Sequence, residues 1–191
     1  MDTTGNTTPR YAAASIFFHW LMVLLIVAVY AAMDLKSLTP KGSAGRANMA
    51  TWHYLLGLSV FLLVWLRLAA RWMGVTPAID PPPPAWQDRL AGLVHVLLYA
   101  FMIVMPLLGW LTVSAKGESV GLLGFTLPPL TAKNDAFAKT VKDVHESLAT
   151  VGYFIIGLHA LAALFHHYVV RDNTLLRMWP RSSMAASRRG G

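Results

Sequence analysis

Cysteine is missing from all 191 residues. That excludes disulfides, thiolate ligation of metal clusters and any thioether attachment of a prosthetic group. Charge is scarce as well. Only 13% of residues are charged, about half the share of an ordinary soluble domain. With 55% hydrophobic residues and a mean hydropathy of +0.50, the chain is too apolar for a water-filled setting. Acidic residues are few, 9 against 16 basic ones, which leaves a net charge of +7. An excess of this size can signal nucleic-acid binding. Here the basic residues sit at the ends of long apolar blocks, where membrane topology puts them, so no nucleic-acid partner is expected.

What the sequence does have is four apolar blocks, from about Ala12 to Met33, Met49 to Leu68, Leu90 to Val113 and Leu148 to Val170. About 20 residues at about 1.5 Å each cross a hydrocarbon core of about 30 Å. Backbone groups in lipid must find partners within their own segment, so each block is predicted to be a helix. The expected fold is an all-α integral membrane four-helix bundle, one domain over residues 1–181, with a basic tail at 182–191 read as disordered. The first block carries His19 and Trp20 and is longer than a signal core. It is therefore read as a retained span and not a cleaved leader. The arginines near the block ends (Arg10, Arg67, Arg71, Arg89, Arg171, Arg177) favour both termini on the cytoplasmic side. A bacterial inner membrane suits this pattern. Of the connections, Pro81 to Pro84 reads as a stiff spacer. Ser114 to Asp143, with Leu122, Leu123, Phe125 and Leu127, reads as a long loop serving as a cover.

Seven histidines in so apolar a chain are the main chemical signal. His145, Gly152, His159 and His166 recur every seventh residue, and two helical turns take about 7.2 residues, so they share one stripe. His145 falls near the outer surface, His159 roughly 21 Å further along, and His166 at the inner surface. The first helix enters from the inside and brings His19 to the level of His159. The second enters from the outside and brings His53 to the level of His145. Two pairs at two depths are what two six-coordinate b-type haems require, one imidazole on each face of each ring. Gly152 on the same stripe is expected to leave room for a flat cofactor.

Intramembrane histidines also serve as hydrogen-bonding glue or as proton relays, and each alone is open to that reading. His95 competes with His19 for the inner site, or bonds a propionate or a neighbouring helix. His167 has no assigned role. His166, on the stripe, is the better candidate for touching a second substrate. Arg67 shares a face with His53 at the inner end and suits a haem propionate, although snorkelling explains it too. The seven tryptophans read mostly as interface anchors, and Pro106 is expected to kink the third helix.

The pattern of His19-Trp20, His53 with Gly57, Arg67 and Arg71, Lys142 with His145-Glu146, Gly152-Tyr153-Phe154 through His159 to His166-His167, and Asp172 through Met178 with Pro180-Arg181 resembles the bacterial cytochrome b561 family, in particular its superoxide oxidase branch. The match runs from about Tyr11 to Arg181. The resemblance implies two bis-histidine haems on His19, His53, His145 and His159. It also implies oxidation of superoxide to dioxygen at the outer face, transfer of electrons to ubiquinone, and quinone contact by His166. The expected outer face carries slightly more Lys and Arg than Asp and Glu, and Lys139 and Lys142, just ahead of His145, are the expected steering residues for the superoxide anion. Two other readings fit: a cytochrome b subunit relaying electrons between a partner dehydrogenase and the quinone pool, and a colourless histidine-based proton channel or transporter.

Overall fold

The computed structural model describes residues 10–122 and 125–180. Four long helices dominate: α1 (Ala13–Leu38), α2 (Ala44–Met73), α3 (Ala85–Ala115) and α4 (Asp135–Phe165). All four are long and apolar enough to cross a membrane. Their outward faces carry large apolar side chains such as Leu24 (67% exposed) and Phe154 (74% exposed). A water-exposed surface of that kind would drive association, whereas in a bilayer it meets hydrocarbon. The expected all-α membrane bundle is what forms.

Each helix is longer than its apolar block, because hydropathy marks only the part inside lipid. The largest difference is at α4, which starts at Asp135 and not near Leu148. Its polar first turns are held by local chemistry: Asn134 accepts from the Phe137 N–H at 3.0 Å, and Lys139–Asp143 and Lys142–Glu146 pair one turn apart. Ser43 caps α2 in the same way, accepting from the Arg46 N–H. α3 starts directly after Pro84, whose ring rules out a helix through the preceding spacer.

The connection from Lys116 to Asn134 is therefore shorter than expected, and it is ordered by contacts of its own. A two-residue antiparallel pair, β1 (Gly121–Leu122) with β2 (Phe125–Thr126), folds it back. Leu127 N–H reaches the Val120 carbonyl, and Val120 packs with Leu58, midway along α2, and Val113, near the end of α3. The loop thus lies as a cover over these two helices. Leu123 and the tail 182–191 lie outside the described residues.

α1 packs on α2 and α3 on α4, and the two pairs meet chiefly through α2 and α3. α1 and α4 do not pack backbone to backbone. Side chains bridge the gap instead, among them Tyr30, whose hydroxyl donates to the Ala149 carbonyl at 2.7 Å. The apolar core, Met22, Val60, Val64 and Met102, sits toward the α1–α2–α3 side.

Beyond Phe165 the chain makes a π-helical turn (His166–Val170) and a single turn α5 (Thr174–Arg177). This segment is tied to the start of α1 and the residues just before it. Tyr11 N–H reaches the Arg177 carbonyl at 3.1 Å, and Trp20 Nε1 donates to the Met178 carbonyl at 2.8 Å. Trp20 thus anchors the C-terminal segment instead of lying free at an interface.

Candidate functional site

On α2, His53 is one turn from Gly57; on α4, His145 faces it. Their ring centres are 6.1 Å apart with planes turned by 76°. Two imidazoles on opposite sides of one metal, each bonded at about 2 Å, have their ring centres roughly 6 Å apart. His53 Nδ1 lies 3.1 Å from the Val29 carbonyl, which makes it the protonated nitrogen and leaves the Nε2 lone pair free to bind a metal.

A mostly apolar cavity of about 330 Å³ adjoins this pair. Gly57 and Gly109 both line it. A methyl at Gly57 would meet nothing within 4 Å, and one at Gly109 would sit 3.5 Å from His145 Cε1. There is open space beside Gly57 on this wall, and Gly109 lies against the His145 ring, so a flat macrocycle would meet little side-chain bulk at either position. The Met105 carbonyl acts as a backbone acceptor for the buried His145 imidazole, as the Val29 carbonyl does for His53. The residues fit a bis-imidazole haem.

The second pair is His19 on α1 and His159 on α4, with ring centres 6.3 Å apart and planes turned by 75°. His95 on α3 also approaches His159, at 5.5 Å. The inner site therefore offers one imidazole two neighbours, in line with the competition expected between His19 and His95. Arg67 stacks over Tyr99 at 5.6 Å and lies near enough to His19, His95 and His159 for the charges to act on one another. Its Nε is buried and unpartnered. Beside Tyr99 the guanidinium keeps one donor position open, which a propionate would fill.

Gly152 behaves differently from expectation. A methyl there would lie 2.4 Å from both Phe101 Cζ and Tyr30 Oη. The space beside Gly152 is taken by two aromatic side chains, so the glycine seats a partition between the pairs and does not hold open a slot for a cofactor. Periodicity along α4 could not show this, because the rings come from α3 and α1.

The expected steering lysines separate. Lys142 lines the cavity, together with Lys36 and Lys116, although it pairs with Glu146 at 2.7 Å. Lys139 is not among the lining residues; it is 80% exposed and pairs with Asp143. Lys36 and Lys116 come from the far ends of α1 and α3, and only folding brings them to the same opening.

At the other end His166 meets Asp172, with Nδ1 2.5 Å from Oδ2. Burial alone would raise the Asp172 carboxyl. Hydrogen bonds from His166 and Thr174 outweigh it and hold the group below its usual range, as a carboxylate. The neighbouring residues tie the segment down: Asn173 Oδ1 accepts from the Asp80 N–H at 3.0 Å, and Arg177 Nη1 donates to the Pro77 carbonyl. Arg71 and Arg177 both lie over the Tyr11 ring, at 4.8 and 5.4 Å. The Asp172–Arg177 stretch is distinctive in the sequence, yet its spacing alone assigns its members no role. The available signal was an Asp six residues after a stripe histidine.

A membrane-spanning helical bundle with opposed imidazoles in its interior is the architecture of a non-covalent haem carrier. A family model described as prokaryotic cytochrome b561 matches residues 10–181. "Cytochrome b561 homolog 1" of Escherichia coli (strain K12) is 42% identical over 172 residues, covering 90% of this chain and 98% of that protein. "Probable superoxide oxidase CybB" of Yersinia pestis is 35% identical over 172 residues, covering 90% and 97%. "Cytochrome b561 homolog 2" of Escherichia coli (strain K12) is 29% identical over 182 residues, covering 93% and 95%. The chain belongs to the prokaryotic cytochrome b561 family, and so is a bacterial membrane protein of b-type haem electron transfer.

Proposed function

We propose that this protein is a superoxide:ubiquinone oxidoreductase holding two b-type haems, one on His53 and His145 and one on His19 and His159. The observation that carries the reading is the pair of opposed imidazole couples at two heights, one beside a lysine-edged cavity and the other toward His166. The Yersinia pestis relative named a probable superoxide oxidase supports the choice of substrate. Both termini are placed on the cytoplasmic side, so the cavity faces outward.

The haems supply one-electron carriers; the chain's residues do the rest. Lys36, Lys116 and Lys142 attract a small anion to the cavity, where no general base is needed because superoxide gives up only an electron. His53, His145, His19 and His159 hold the iron atoms, and Arg67 neutralises a propionate at the inner site. The aromatic partition of Phe101 and Tyr30 keeps the two sites apart. Two superoxide anions become two dioxygen molecules, and their two electrons with two protons convert ubiquinone to ubiquinol. His166 contacts a quinone oxygen at the inner end.

The test is purification in mild detergent, a reduced-minus-oxidised spectrum, and then a superoxide flux with a short-chain ubiquinone. Two haems per chain and superoxide-dependent quinol are expected. A colourless protein would end the haem reading, and a coloured one inert to superoxide would end the choice of donor.

A further inference from the structure

α4 loses its regular register where His166 begins the π-helical turn. On a continuing α-helix, residue 172 would lie about 240° around the axis and about 9 Å further along, out of reach of His166. Instead the wide turn ends at Arg171 in the left-handed region, with φ 61°, uncommon for a residue with a side chain. The N–H groups of Arg171 and Asp172 both fall on the His166 carbonyl. The chain thus folds back and sets a carboxylate, its side chain 1% exposed, against one nitrogen of an imidazole that is 18% exposed. The other carboxylate oxygen accepts the Thr174 N–H at 2.8 Å. Of the arginines on the neighbouring segments, Arg177 bonds the Pro77 carbonyl and Arg71 bonds Thr76 Oγ1, whereas Arg171 adjoins Asp172 in the chain itself.

A carboxylate only accepts, so Nδ1 of His166 carries a hydrogen. Nε2 makes no hydrogen bond among the described residues. A quinone oxygen needs a donor and a quinol hydroxyl needs an acceptor. Nε2 offers each in turn, an N–H when the ring is protonated and a lone pair when it is neutral. Resting on the reading of His166 as the quinone contact, we infer that Asp172 is its positioning residue. It holds Nδ1–H, aims Nε2 at the quinone oxygen and balances the charge of the protonated ring. For each quinone reduced by two electrons and two protons, Nε2 gives up one proton as the new O–H bond forms and is reprotonated from the bulk proton pool of the aqueous phase at the inner face. The second proton is drawn from the same phase.

The experiment uses the full-length, haem-loaded protein with a superoxide flux and a short-chain ubiquinone. Asp172→Asn keeps an acceptor oxygen without the charge, and His166→Gln keeps a side chain that can still donate a hydrogen bond but has no proton to transfer. Each is expected to lower kcat for quinone reduction by about 100-fold, a usual size for acid–base assistance, with KM moving far less and the haem spectrum unchanged. The double variant should be no slower than His166→Gln alone, because the two act as one unit. Asp172→Glu, with the charge on a longer arm, should recover at least a tenth of the activity. Independent, multiplying losses, full turnover in Asp172→Asn, or Glu no better than Asn would each overturn the inference. Full turnover in His166→Gln would instead overturn the quinone reading beneath it.

Discussion

His53 and His145 face one another across the gap between α2 and α4, ring centres 6.1 Å apart, beside a cavity whose wall includes Gly57 and Gly109. If they share an iron, they fail together. Replacing either with Ala should lower the haem content from two per chain to one, and the same one in both cases. A haemochrome assay with low-temperature spectra checks this, and a full haem complement without His145 would refute the pairing.

His159 has two imidazole neighbours, His19 at 6.3 Å and His95 at 5.5 Å, and only one can be the opposing ligand. His19→Ala should abolish the inner haem, while His95→Asn should keep it and shift its midpoint potential. Redox titration of the two variants separates the roles. The reverse result would make His95 the ligand.

Of the described glycines, Gly152 is the most tightly enclosed. Gly152→Ala must push Tyr30 off its bond to the Ala149 carbonyl and turn the Phe101 ring. Overpacking of this kind costs about 1–3 kcal/mol. Thermal loss of haem absorbance should come several degrees earlier, and Phe101→Leu in the same chain should restore part of the loss.

Both lysines are ion-paired one turn along α4, but Lys142 lines the cavity whereas Lys139 is exposed and does not. Lys142→Gln should therefore slow haem reduction by superoxide several-fold at low salt, and the gap should close as ionic strength rises and screening shortens the field. Lys139→Gln should change the rate by less than twofold. Stopped-flow absorbance in a salt series measures both. Equal effects would mean that a diffuse surface charge, and not the cavity edge, does the steering.

Much of this arrangement is legible in the order of residues alone. Lengths of apolar chain announce helices because lipid leaves the backbone no other partner. The seven-residue spacing of His145, His159 and His166 puts them on one face whatever surrounds them, and the alternating direction of the helices brings His19 and His53 to matching levels. The polar start of α4 escapes such a reading because hydropathy reports the solvent around a helix, not the helix. Its signals are Asn134 before Asp135 and the two ion pairs a turn apart, which are local features of the chain.

By itself, then, the sequence determined the membrane class, the four spans and the heights of the histidines, because these follow from periodicity and solvent along one strand of chain. Only the tertiary structure decided what fills the space beside Gly152, which lysine reaches the cavity, and that Asp172 returns to His166. Each of those depends on side chains from separate elements meeting at one place. Spacing within an element carries no information about what arrives from another, so such contacts become visible only once the chain has folded back on itself.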